Sequence, residues 1–147
     1  MPRYVVDTGV LLGYLRASPY AVFVDQQYSP FTSPNIAAIS IVTHGELRSL
    51  ALQLQWGVSK QQRLKTLLRK VPYVDINNDA ILQRYAEIDA FSQGKLNGRD
   101  LPVGMSARNM GKNDLWIAAT ASVLNATLIT TDEDFDHLDG ISLRWFM

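Results

Sequence analysis

The chain has 147 residues, 47% of them hydrophobic, with 14 Lys and Arg against 14 Asp and Glu. These values fit one domain spanning residues 1–147 and exclude wholesale disorder. There is no cysteine, which excludes disulfide staples, zinc–thiolate centres and thiol nucleophiles, and the zero net charge argues against an indiscriminate polyanion binder.

No apolar stretch approaches the roughly 18 residues of a membrane span. The N-terminal Met1-Pro2-Arg3-Tyr4 has no signal-peptide layout. A soluble, cytoplasmic protein with no membrane partner is therefore expected.

In chain order, Arg3–Val6 reads as a short buried strand. Thr8–Leu15 follows as a helix, with Asp7 and Thr8 at its start, where unpaired N–H groups favour such side chains. Ser18-Pro19 breaks it, residues 20–28 form another short helix, and Pro30 and Pro34 mark a loop. Ile36–Ser40 is a second buried strand. A helix over 43–55 has Leu47, Leu50, Ala51 and Leu54 as its inner stripe and Glu46 in its first turn.

Ser59 is the expected N-cap of the next helix, whose apolar side is Leu64, Leu67 and Leu68. That helix carries Lys60, Arg63, Lys65, Arg69 and Lys70 with no acid among them. The run fits either a solvated face or a phosphate-steering surface.

Residues 71–76 are an extended segment that Pro72 pushes to a sheet edge. Asn78 or Asp79 caps a helix reaching about Gln93, and 94–112 is the longest irregular stretch. A helix over 114–124 turns Ile117, Ala118, Ala121 and Leu124 inward. A strand over 127–131, a turn or short helix over 132–138 and a strand over 141–146 complete the chain. Strands separated by helices imply a central, mainly parallel sheet of about five strands, covered on both faces in a three-layer α/β/α sandwich.

Four acids stand where buried segments end or begin: Asp7, Glu46, Asp114 and Asp132. In an α/β sheet such positions converge at one edge, where ligands bind. Two unit charges about 4 Å apart repel by roughly 4 kcal/mol at an effective dielectric near 20. A divalent cation relieves that repulsion, and oxygen-only donors favour Mg²⁺ or Mn²⁺. A metal-dependent hydrolase is the reading this supports. Singly, each acid also fits a structural role: Asp7, Glu46 and Asp114 as helix caps or dipole partners, Asp132 as turn chemistry.

Val5-Val6-Asp7-Thr8-Gly9-Val10-Leu11-Leu12 resembles the opening of PIN-domain nucleases, especially the VapC-type toxins. Residues 39–47, which include Glu46, resemble that family's second motif. Asn113-Asp114-Leu115-Trp116 is similar to its third, and Leu128-Ile129-Thr130-Thr131-Asp132 to its fourth. All four occur in family order. The resemblance implies that Asp7 and Asp114 are the principal ligands of Mg²⁺ or Mn²⁺, and that Glu46 and Asp132 complete the cluster. It further implies RNA as substrate, homodimers, and inhibition by a small cognate antitoxin of a type II toxin–antitoxin module.

A hydrolytic mechanism that does not use the ribose 2′-hydroxyl leaves 5′-phosphate and 3′-hydroxyl ends. Two other readings stay open beside it: a PIN-like module that binds RNA or protein without turnover, and a housekeeping RNA-processing nuclease. A phosphatase is disfavoured by the lack of an N-terminal Asp-x-Asp.

Among secondary candidates, Thr8 and Thr130 fit water-binding, core or capping roles, and Asn113 an orienting bond to Asp114. Asp134 fits a surface position better than the fourth corner of the cluster. His44 and His137 belong to no recognisable triad, and Trp116, Trp145 and Phe146 fit packing. Leu101-Pro102 lies farther from Asp114 than in many relatives. The intervening segment 103–113, with Arg108 and Lys112, is expected beside the site.

Overall fold

The computed structural model describes residues 2–138 and 144–146, the last three through backbone pairing alone. The first strand, β1 (Arg3–Val6), lies at the centre of a five-stranded sheet. It pairs in parallel with β2 (Ile36–Ser40) on one side and β4 (Thr127–Ile129) on the other. The short β3 (Tyr73–Val74) pairs with β2 and β5 (Arg144–Phe146) with β4, giving the order β3-β2-β1-β4-β5, parallel throughout. Of the expected last strand, residues 141–143 lie outside the described residues.

Successive strand residues face opposite sides of a sheet, and this chain fills both. Val5 and Leu128, fully buried, belong to one core with helices α5 (Asp79–Ser92) and α6 (Lys112–Val123). Val6 and Ile129 belong to a second core with α1 (Thr8–Leu15), α3 (Ile41–Gln53) and α4 (Val58–Lys70). Helix α2 (Pro19–Tyr28) packs on α1. Two cores around one parallel sheet make the expected three-layer sandwich.

Several local expectations are corrected. Helix α3 starts at Ile41, directly after β2, because Ser40 Oγ accepts the Val42 N–H at 3.1 Å and caps it without a loop. Glu46 is consequently in the second turn, not the first. Leu54 follows the helix end and is 55% exposed, so it is outside the inner stripe. Helix α4 is capped by Gly57 rather than Ser59, which is exposed on its first turn. Helix α6 is capped by Gly111, which places Asn113 and Asp114 inside the first turn. This helix packs on α5 and α3, and its run Ile117, Ala118, Ala119 and Ala121 is fully buried. Small side chains allow that close approach.

Candidate metal centre

Helices α1, α3 and α6 all begin near the carboxyl edge of the sheet and turn their N-terminal halves toward one cleft of about 680 Å³. Its lining includes all four expected acids, Asp7, Glu46, Asp114 and Asp132, together with Glu133 and Asp134. Among the described residues, no lysine, arginine or histidine lines it.

A continuous run of hydrogen bonds fixes three of these six carboxylates, those of Asp7, Glu46 and Asp132. Asp134 N–H donates to Asp132 Oδ1 at 2.9 Å, and Asp132 N–H donates to Thr130 Oγ1 at 3.0 Å. Thr130 Oγ1 in turn donates to Asp7 Oδ2 at 2.6 Å. The other oxygen of Asp7 accepts the Thr8 N–H at 2.8 Å, and Thr8 Oγ1 donates to Glu46 Oε1 at 2.7 Å. Thr8 Oγ1 also lies 2.9 Å from Thr43 Oγ1. Both threonines weighed in the sequence are therefore orienting residues: each hydroxyl aims a carboxylate.

The electrostatics follow from this crowding. Burial pushes the Asp7 carboxyl above its ordinary value, against the lowering effect of its bonds from Thr130 and Thr8, and the charges of Asp132 and Glu46 add to the rise. Asp114 is pushed up to about 7, first by burial and then by the charges of Asp7, Asp132, Asp134 and Glu46. Asp114, Asp132 and Asp134 each place a carboxylate oxygen within 4.8 Å of the others. Mutually repelling, oxygen-only donors with no lysine or arginine side chain among them fit a hard divalent ion. Their positions at helix N-termini offset only part of the repulsion.

Asp134 thus stands in the tightest trio while remaining exposed. A sequence reader has one signal for it, the Asp-x-Asp spacing that lets Asp132 accept the Asp134 amide. Asn113 makes no hydrogen bond to Asp114, contrary to the orienting role weighed for it.

The other candidates lie elsewhere. His137 is fully buried, 2.6 Å through Nε2 from Ser92 Oγ and stacked on Phe91. Burial and the nearby Arg108 charge hold it down near 4. His44 lies edge-on to Tyr73, their ring centroids 5.6 Å apart. Trp116 packs on Tyr85; the side chains of Trp145 and Phe146 lie outside the described residues. Of the 103–113 segment only the end comes near the site: Gly111, Lys112 and Asn113 line an adjoining hollow of about 440 Å³ that shares Glu46 and Asp114 with the cleft but lies outside it. Arg108 is instead tied back by its N–H to the Ser92 carbonyl at 2.7 Å.

The PIN-domain family model matches residues 4–141. The chain belongs to the PIN-domain family. Among PIN-domain relatives, it is 29% identical over 138 residues to Ribonuclease VapC5 of Mycobacterium tuberculosis, covering 92% of this chain and 87% of that protein. It superposes on VapBC2 from Rickettsia felis bound to a promoter DNA fragment with a TM-score of 0.76 and 21% identity, over 98% of this chain and 97% of that one. VapBC-5 from Mycobacterium tuberculosis, a member of the VapBC family of toxin–antitoxin systems, gives a TM-score of 0.64 at 23% identity over 99% and 98%. At those identities the two structures speak for the fold.

Proposed function

We propose that this PIN-domain chain is a divalent-metal-dependent endoribonuclease, using Mg²⁺ or Mn²⁺, and the toxin of a toxin–antitoxin module. The observation that carries the reading is the cleft itself, in which hydrogen bonds aim Asp7, Glu46 and Asp132 into a space where Asp114 is left to be neutralised. The ribonuclease name of the relative at 29% identity supports RNA as substrate. The toxin–antitoxin description of VapBC-5 supports a small cognate antitoxin as partner, and a homodimer is what the family resemblance implies.

The residues that would hold the ion are Asp7, Asp114, Asp132 and Glu46, with Asp134 beside them. A divalent ion bound there supplies Lewis-acid polarisation of the phosphodiester and activation of water. The chain's own part is preorganisation. Thr130 and the Thr8 amide hold Asp7 in one rotamer, Thr8 holds Glu46, and the turn after β4 holds Asp132. Positioned charges need no rearrangement during the reaction, which is where electrostatic catalysis gains most. Hydrolysis at this site leaves 5′-phosphate and 3′-hydroxyl ends.

The test is cleavage of a single-stranded RNA with and without Mn²⁺. Asp7→Asn and Asp114→Asn are each expected to lower the rate by about two to three orders of magnitude, the scale of removing one preorganised group, with the fold intact by circular dichroism. Wild-type cleavage in either variant, or wild-type cleavage undiminished by a chelator, overturns the reading.

A further inference from the structure

Across α3 from the carboxylates lies a second concavity, a groove of about 800 Å³ between α3, α4 and β3. At 100° per helical residue, Glu46 and Arg48 project to opposite flanks of α3, and the groove takes Arg48. Lys65 and Arg69, one turn apart on α4, complete a cationic rim. All three are exposed, and none has a carboxylate within 4.0 Å among the described residues. Among the described residues, no acid lines the groove. Its floor is aliphatic, with Leu64 and Leu68, and at one end stands Tyr73, 55% exposed, with His44 against it.

Two features select the occupant. Among the described residues, the cleft is lined by six carboxylates and no cationic side chain, so it repels the phosphates of any RNA beyond the one group an ion engages. The grip on the chain must therefore come from outside the cleft. The groove offers unpaired cations for phosphates beside a flat apolar and aromatic surface for a base, which is the composition that binds unpaired nucleotides.

Resting on the function proposed above, we propose that the α3–α4 groove seats an unpaired nucleotide of the RNA flanking the cleavage point. Phosphates there lie on Arg48, Lys65 and Arg69, and a base lies against Tyr73.

Helix α4 supplies its own control, because Arg63 and Lys70 carry the same charge on its other side, facing α1. Fluorescence anisotropy of a labelled single-stranded RNA is measured in chelator, so that binding is read without cleavage. Lys65→Gln/Arg69→Gln is expected to weaken binding at least tenfold and to reduce the slope of log K against log salt by roughly 1.4, the value for two phosphate contacts on a single strand. Arg63→Gln/Lys70→Gln is expected to change affinity less than threefold. Tyr73→Leu, which keeps the apolar volume, is expected to cost about fivefold or more, the lower range for a lost base stack.

Equal losses from both charge pairs overturn the proposal in favour of diffuse attraction. Unchanged RNA affinity in the groove variants overturns it too, and loss of an acidic peptide's binding in those same variants then marks a protein-docking surface. A metal-dependent cleavage that survives while the groove variants bind RNA normally leaves the nuclease reading standing. Groove-dependent binding without any cleavage removes the nuclease reading alone.

Discussion

Helix α3 separates two surfaces of opposite character. On one flank Glu46 joins Asp7, Asp114, Asp132, Glu133 and Asp134 around a cleft; on the other, Arg48 joins Lys65 and Arg69 above an aliphatic floor. The acidic side is held by hydrogen bonds running through Thr8 and Thr130, whereas the basic side chains stand exposed without ion pairs among the described residues. A zero net charge hides this division completely. The fold keeps like charges together and stabilises only the set that needs fixed geometry.

If the acidic flank is an ion site, Mn²⁺ at a hundredfold excess over its Kd is expected to stabilise the protein by about 2.7 kcal/mol. For a chain of this size that is a rise of roughly 5–10 °C in the thermal midpoint. Asp7→Asn and Asp114→Asn should abolish the rise, and a rise of equal size in the Lys65→Gln/Arg69→Gln variant would be expected because the flanks are independent. A loss of the response in that last variant would break the comparison.

Thr130→Val is the next largest expected effect. It removes the hydroxyl that both aims Asp7 and anchors the Asp132 amide. Outer-shell losses of this kind cost about 10- to 100-fold in metal affinity, measurable by Mn²⁺ titration calorimetry; unchanged affinity would deny Thr130 its orienting role.

The pH dependence is smaller and has a definite sign. Asp114 is raised from 3.8 to about 7 in the folded chain, so its protonated form is the one folding favours. Its contribution is fully present below about pH 4 and is lost as pH rises through about 7. The metal-free protein should melt at a lower temperature at pH 8 than at pH 5, and Asp114→Asn should flatten that slope. The rise in Asp7 acts in the same direction. His137, lowered from 6.5 to about 4, works oppositely: its contribution is present above 6.5 and lost as pH falls toward 4. Melting curves of the single variants separate the two.

Smallest of all, Arg48→Gln should leave metal-free stability within about 0.5 kcal/mol, as for other exposed substitutions. A larger loss would mean that the basic flank supports the fold after all.

The acids were legible in the sequence because each stands beside an apolar run, and strand ends in a parallel sheet share one edge. Glu46 lies a turn deeper in its helix than the sequence suggests, because the one mark of a strand passing into a helix without a loop is Ser40 as the N-cap. Asp134 was read as surface, and it is exposed, but its place in the carboxylate trio depends on how Asp132 turns the chain. In sequence the basic run of α4 is a single feature. Packing divides it: Lys60 lies over the Trp56 ring, Arg63 and Lys70 face α1, and Lys65 and Arg69 meet Arg48 from another helix. Likewise Ser92 and His137 are 45 residues apart and meet only in the folded core.

Asp114 rides on α6, whose own Ile117, Ala118, Ala119 and Ala121 are completely buried, and it cannot retreat without opening the core. Asp132 and Asp134 stand at the start of a short 3-10 helix, Glu133–Leu138, and Asp134 is exposed. Accommodation of ions of different radius therefore falls mainly to the start of that segment, ahead of its buried Phe135. Mg²⁺, with oxygens at about 2.0–2.1 Å, and Ca²⁺, with oxygens at about 2.3–2.6 Å, would be told apart by how far one short segment can yield against an immovable wall.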